Sequence, residues 1–195
     1  PGIFIQCVIF RLGDDAILHS LGFRDLAFQL NSTGCPKCRP AYVELLKRYY
    51  SEHTASICPD CHRRLERNPL RVLDCKVEGC QPVIEGAPHI VEHLCEECAA
   101  HLGELRSFLD LTGRRYVLNH RLVRGLDYYT KTVFEVWAAG IGAQAAVCGG
   151  GRYDGLVELL GGPPTPGVGV GVGLERIVLV MKDLSCLVEE SLIKK

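Results

Sequence analysis

The chain has 195 residues, 47% of them hydrophobic and 23% charged, with a formal net charge of −1 at pH 7. That is enough for one sizeable core, or for a core with a small appendage. The near-neutral balance excludes a general nucleic-acid coat, so any RNA contact must use a local patch. No apolar run approaches the ~20 residues that span a bilayer, so no membrane association is expected.

The chain opens on Pro1-Gly2-Ile3-Phe4-Ile5, without a basic start or a small-residue cleavage site, so no signal peptide is expected. Without an initiating Met, it reads as a fragment of something longer. A cytoplasmic protein is the expectation. Its eleven cysteines then point to metal ligands or free thiols rather than to a disulfide framework.

Residues 1–34 begin with an apolar run, Ile3 to Leu12, suited to a buried strand. A short helix through Asp14, Asp15, Ala16, Ile17 and Leu18 follows, and after Gly22 an alternating strand over Leu26–Asn31. Residues 35–115 hold eight of the eleven cysteines and most of the histidines. Their apolar spacing is helical: Tyr42, Leu45, Leu46 and Tyr49 share one face, as do Leu102, Leu105, Phe108 and Leu109. This stretch reads as a small helical Cys-rich insertion. Residues 116–195 return to strand periodicity. Val133, Glu135 and Trp137 face one way, Phe134 and Val136 the other. Residues 161–166 form a loop. Glycines at 167, 169, 171 and 173 fall on one face of a strand and clear a flat surface for a planar group. A buried helix is expected from Leu174 to Met181.

The cysteines pair as Cys35 with Cys38, Cys58 with Cys61, Cys75 with Cys80 and Cys95 with Cys98. Two C-x2-C knuckles about twenty residues apart match a four-thiolate zinc ribbon. One structural Zn2+ is therefore expected at Cys35, Cys38, Cys58 and Cys61, and a second ion is weighed at the remaining two pairs, with His89 or His93 as further donors. The alternative is buried small hydrophobes. Lys37, Arg39, Lys47, Arg48, Arg63, Arg64, Arg67 and Arg71 cluster beside the knuckles. They read as a face for RNA phosphates or as a solvated helix surface, since Glu44, Glu52, Asp60 and Glu66 are interleaved.

Three segments combine glycines with arginine or tyrosine: residues 124–129 (Arg124-Gly125-Leu126-Asp127-Tyr128-Tyr129), 149–155 (Gly149-Gly150-Gly151-Arg152-Tyr153-Asp154-Gly155) and 167–176. Arginine binds a carboxylate or phosphate bidentately, and a tyrosine hydroxyl both donates and accepts. The first segment alone fits a binding loop or a structural loop with aromatic anchors equally well.

Together the three resemble the catalytic core of the histidyl-tRNA synthetases. The first two look like the family's two histidine motifs, and residues 171–176 are similar to motif 3 of class II synthetases. The resemblance, which covers roughly residues 22–182, implies an α+β fold: a class II synthetase-type antiparallel sheet with flanking helices. It makes residues 1–34 and 116–195 two parts of the catalytic core, and residues 35–115 an insertion domain that approaches the acceptor arm of tRNA(His).

It also implies roles. Arg124 stabilises the carboxylate and α-phosphate as histidine attacks ATP, and Tyr129 and Tyr153 contact histidine. The strand bearing Gly171 and Gly173 underlies adenine, and Arg176 holds the γ-phosphate, with Mg2+ bridging the phosphates. Phe4-Ile5-Gln6 matches the F-x-Q that ends motif 2, which would make Gln6 a substrate contact, although Phe10 stands where the family has a glutamate. Motif 1, the motif 2 arginine and the anticodon-binding domain are not in the chain. The expectation is a homodimeric enzyme when full length, and an inactive polypeptide when isolated. The competing readings are a non-catalytic synthetase-like regulatory subunit of histidine biosynthesis and an RNA-binding zinc module.

Overall fold

Five strands join in the order β2-β1-β3-β4-β5 in a computed structural model that describes residues 15–23, 25–113, 115–125, 127–138 and 146–183. The strands are β1 (Leu26–Gly34), β2 (Tyr116–Leu118), β3 (Thr130–Ala138), β4 (Ala146–Arg152) and β5 (Val168–Val172). Only β1 and β2 run parallel; the other neighbours are antiparallel. The mixed α+β class with a mostly antiparallel sheet is as expected. The strand anticipated over Ile3–Leu12, Gln6, Phe10 and the cap at Asp14 lie outside the described residues.

The helices are α1 (Asp15–Ser20), α2 (Arg39–Glu52), α3 (Pro59–Arg67), α4 (Gln81–Glu85), α5 (Glu96–Leu111), α6 (Leu156–Leu159) and α7 (Leu174–Asp183). Prolines open α2, α3 and α4, where a missing N–H costs nothing. None of them is long and apolar enough to cross a membrane.

The sheet separates two environments. Phe28 and Leu30 of β1 and Phe134, Val136 and Ala138 of β3 face a core completed by Leu102, Leu105 and Leu109 of α5 and by Ile177 and Val180 of α7. Truncating fully buried Leu105 to alanine is expected to cost about 2–5 kcal/mol. On the opposite face, β1 presents Gln29 and Asn31, polar as anticipated yet buried. The 119–122 turn covers them: Asn31 Nδ2 donates to Leu122 O at 3.0 Å, and Asn119 Nδ2 to Gln29 Oε1 at 3.1 Å. Buried amides persist where each finds a partner.

A second core lies among the Cys-rich helices. Tyr42, Leu46 and Tyr50 of α2 form its seam with Val72, Leu73 and Ile84. Leu45 and Tyr49, expected on that face, are half-buried at its edge, because the contact follows every fourth residue of α2. Helix α7 departs further from expectation. Ile177 and Val180 are buried, but Leu174, Val178 and Leu179 are exposed, since one stripe of a helix meets the sheet.

Candidate functional site

The face of β3, β4 and β5 opposite the α5 core carries the site. Pairing aligns Glu135 with Gly149 and Gly171, and Val133 with Gly151 and Gly169. The glycines are required because larger side chains lie across them. A Cβ at Gly149 would stand 2.7 Å from Arg124 Nη1, and one at Gly151 would stand 2.8 Å from the Tyr129 ring. Gly171 differs, since a Cβ there would meet nothing nearer than Gly149 O at 3.8 Å.

Arg124 is held from β3. Its Nη1 lies 2.6 Å from Glu135 Oε1, while Glu135 Oε2 accepts from Trp137 Nε1 at 2.9 Å. Arg124 Nε is buried and has no partner among the described residues, which leaves a donor unmet there. Across the same cleft, Arg176 Nη1 donates to Ala146 O at 2.8 Å. Arg124, Glu135, Gly149, Gly171, Gly173 and Arg176 all line this cleft of about 480 Å3. Of the residues anticipated from sequence, Arg124, Gly171, Gly173 and Arg176 thus come together.

Tyr129 and Tyr153 form a neighbouring aromatic group rather than part of that lining. Their centroids are 6.5 Å apart, with Tyr128 at 4.7 Å from Tyr129 and 5.9 Å from Tyr153, around Leu122 and Val133. Burial, together with a hydrogen bond to Tyr129, raises the Tyr128 phenol above its ordinary value. The Tyr153 loop is fixed from outside. Arg152 Nε donates to Asp154 Oδ2 at 2.7 Å, Asp154 Oδ1 accepts from Gly167 N at 3.3 Å, and Tyr153 N donates to Gly167 O at 2.8 Å.

A second cleft, of about 380 Å3, is lined by Arg63, Arg64, Arg67, Asn68 and Arg71 together with Gly125 and Asp127. The basic segment therefore abuts the loop that carries Arg124, and Asn68 Nδ2 donates to Asp127 Oδ1 at 2.9 Å. Asp60 neutralises part of it, pairing with Arg63 at 2.8 Å and Arg64 at 2.6 Å. Arg39 does not belong to this face. Its guanidinium donates to the carbonyls of Thr33 at 2.8 Å, Gly34 at 3.3 Å and Asp127 at 3.3 Å, and to that of Tyr129. It braces the Arg124–Tyr129 loop.

The four cysteines expected around one ion are divided. Cys35 and Cys38 meet Cys95 and Cys98, whereas Cys58 and Cys61 meet Cys75 and Cys80, with the sulfurs of each set within 4.8 Å of one another. Helix α2 explains the separation: its 14 residues carry the chain about 21 Å away from Cys38 before Cys58 is reached. His89 stacks on His120 at 3.7 Å and His93 lies 6.0 Å from Tyr42; neither belongs to a cysteine set. All nine described cysteines are unbridged.

Reasoning from sequence missed Glu135, Trp137 and Arg39. The signal for Glu135 was present, since a half-buried arginine needs a fixed carboxylate and Glu135 shares the Val133 face of β3. For Arg39 nothing distinguished a brace from its charged neighbours.

A family model described as histidyl-tRNA synthetase matches residues 44–177, well over half of the chain. The chain belongs to the histidyl-tRNA synthetase family. The histidine–tRNA ligase of Caldanaerobacter subterraneus subsp. tengcongensis is 52% identical over 166 residues, 85% of this chain and 40% of that relative. The ligase of Anaeromyxobacter dehalogenans is 54% identical over 154 residues, 79% of this chain and 37% of its own length. Among solved structures, the apo histidyl-tRNA synthetase of S. aureus matches with a TM-score of 0.70 at 32% identity, covering 96% of this chain and 46% of that one. The chain thus spans about 40% of the length of the curated relatives it matches.

Proposed function

We propose that this chain is the central part of the catalytic region of a class II histidine–tRNA ligase, which activates histidine with ATP and passes it to tRNA(His). The observation that carries this is the single cleft in which Arg124 and Arg176 flank the side-chain-free strand positions Gly149, Gly171 and Gly173. Two fixed cations across a flat floor suit a polyphosphate joined to a planar base.

The chemistry needs no protein nucleophile. The carboxylate of histidine attacks the α-phosphorus of ATP and pyrophosphate leaves; the aminoacyl group then passes to the terminal ribose of the tRNA. Arg124, steadied by Glu135, stabilises the carboxylate and the α-phosphate as charge develops. Arg176 holds the γ-phosphate, Gly171 and Gly173 lie under adenine, and Mg2+ enters as part of the ATP substrate. Tyr129 and Tyr153 read the imidazole, and Gln6 contributes a further contact. Catalysis comes from positioning and preorganised charge.

The helical segment 35–115 acts as the insertion domain between core segments 1–34 and 116–195. Its arginine cleft beside Gly125 and Asp127 suits the phosphates of the acceptor arm. The native-length enzyme works as a cytoplasmic homodimer.

Histidine-dependent pyrophosphate exchange by the native-length polypeptide tests the reading. Exchange is expected, and Arg124→Ala should cut it on the order of 10²–10³-fold. Exchange driven equally by other amino acids, or indifferent to that change, overturns it. Histidine binding without any exchange would return the regulatory-subunit reading.

A further inference from the structure

We propose that the chain binds two zinc ions in separate four-thiolate sites, an outer one at Cys35, Cys38, Cys95 and Cys98 and an inner one at Cys58, Cys61, Cys75 and Cys80. The geometry of the sulfurs carries it. A tetrahedral ion with Zn–S bonds of ~2.3 Å sets its ligand sulfurs ~3.8 Å apart. In the outer set Cys35 Sγ lies 3.8 Å from Cys38 Sγ and 3.7 Å from Cys95 Sγ, and Cys38 Sγ lies 3.9 Å from Cys98 Sγ. In the inner set Cys58 Sγ and Cys75 Sγ are 3.9 Å apart. A disulfide needs ~2.05 Å, and an iron–sulfur cluster would drive its ligands further apart than a single ion does.

The surroundings suit thiolates. Cys35 N donates to Cys38 Sγ at 3.3 Å, Cys58 N to Cys80 Sγ at 3.2 Å and Val77 N to Cys75 Sγ at 3.4 Å. Such donors stabilise sulfur that carries negative charge. Three of the four cysteines in each set are buried, while Cys58 and Cys95 are half-buried, so each ion would sit largely, though not wholly, out of water. Short helices such as α3 and α4 gain from a metal what their small core lacks.

The two sites do different work. The inner ion ties α3 to the turn before α4. The outer ion joins the end of β1 to the start of α5, closing the root of the whole Cys-rich segment. Its knuckles reach the substrate loop. Glu97, between Cys95 and Cys98, pairs with Lys37 of the other knuckle at 3.6 Å and with Lys131 of β3 at 2.7 Å. Arg39, next to Cys38, braces the Asp127 and Tyr129 carbonyls. The outer ion therefore holds the backbone under Tyr129.

Metal analysis of the protein, purified without chelators from zinc-supplemented culture, tests the count. Two equivalents of zinc per chain are expected. The quadruple variant C35S/C38S/C95S/C98S should keep one equivalent, and so should C58S/C61S/C75S/C80S. Were Cys35 and Cys38 to share an ion with Cys58 and Cys61, and Cys75 and Cys80 one with Cys95 and Cys98, the first variant would lose both. Less than half an equivalent in the unmodified protein, iron in place of zinc, or a mass deficit from disulfides overturns the proposal however the variants fold. Hydrogen exchange tests the division of labour. Amides of residues 127–131 should exchange at least tenfold faster in the outer-site variant than in the inner-site variant, and equal rates would sink the coupling to the loop.

Discussion

Arg124 and Glu135 meet at 2.6 Å, and the second oxygen of the same carboxylate is tied to Trp137 at 2.9 Å. A loop arginine is thereby fixed to a strand, since Glu135 and Trp137 both lie within β3. The pair is partly exposed, so its value is orientation more than stability. Glu135→Gln keeps the shape and removes the charge. It is expected to lower kcat/KM for histidine activation in the native-length enzyme by on the order of 10²-fold, with little change in Tm. Arg124→Ala combined with Glu135→Gln should be no worse than Arg124→Ala alone, because both changes remove one arrangement. Additive losses would show that Glu135 acts independently.

Gly150 and Gly171 occupy neighbouring strands for different reasons. A side chain at Gly150 would run into the backbone of Gly169 on β5, whereas a Cβ at Gly171 would make only an ordinary contact with Gly149 O at 3.8 Å. Gly150→Ala should therefore lower thermal stability by several degrees, the usual result of forced overpacking. Gly171→Ala should leave Tm unchanged and weaken ATP binding at least tenfold, measured by calorimetric titration. Unaltered ATP affinity in a stable Gly171→Ala protein would remove the adenine from that floor.

These contrasts mark what the sequence made legible. Period two in β3 and in residues 167–173 located the strands, because alternation is local, but not which glycines stay uncovered. The Tyr153 ring lies over Gly167 and Gly169, and Gly171 alone of the β5 glycines has room above it. The assembly of Arg124 with Arg176 was legible only through family resemblance, since no local rule joins residues so far apart. The cysteine partners were misread for a physical reason: knuckle spacing says which sulfurs are adjacent along the chain, while the length of α2 decides which meet. The exposed stripe of α7 was misread because an apolar run states that a helix can be buried, not on how many sides.

The arginine cleft holds arginines paired with a carboxylate and arginines that, among the described residues, have no such partner. Asp60 holds Arg63 and Arg64, while Arg67 and Arg71 line the cleft beside Gly125. Arg67→Ala and Arg71→Ala should each weaken binding of an acceptor-stem RNA and reduce the slope of log K against log salt by about 1. Arg63→Ala should do less. Identical slopes for all these proteins would mean that the RNA does not use this cleft.

Arg39 distributes one guanidinium over four backbone carbonyls. Its removal strands acceptors at the root of the Tyr129 loop, and hydrogen bonds to charged donors contribute roughly 1.5–3 kcal/mol each. The four bonds share one guanidinium and the one to Asp127 is exposed, so water replaces part of the loss. Arg39→Ala is therefore expected to lower the free energy of unfolding by about 2–4 kcal/mol in urea titrations rather than by four full bonds. Arg39→Lys should rescue little, because a lysine cannot supply the planar fork. Full rescue by lysine would reduce Arg39 to a simple charge.

His101 sets an acid limit on the fold. It is buried, with Nε2 3.1 Å from Thr132 Oγ1. Burial first, and then the positive charges of Arg152 and Lys131, hold its pKa down at about 4, against the opposing pull of Asp154 and Glu97. The unfolded chain takes up this proton near pH 6.5, but the folded chain only near pH 4. Between those values acid favours unfolding, so the neutral imidazole's contribution is complete above about pH 6.5 and declines as the pH falls toward 4. His101→Gln can keep a hydrogen bond to Thr132 and cannot titrate. Urea unfolding of both proteins from pH 7.5 to 4 should show the original losing stability relative to the variant below pH 6.5, with the gap levelling off near pH 4. A pH-independent gap would mean that His101 is already charged in the fold or is not buried in solution.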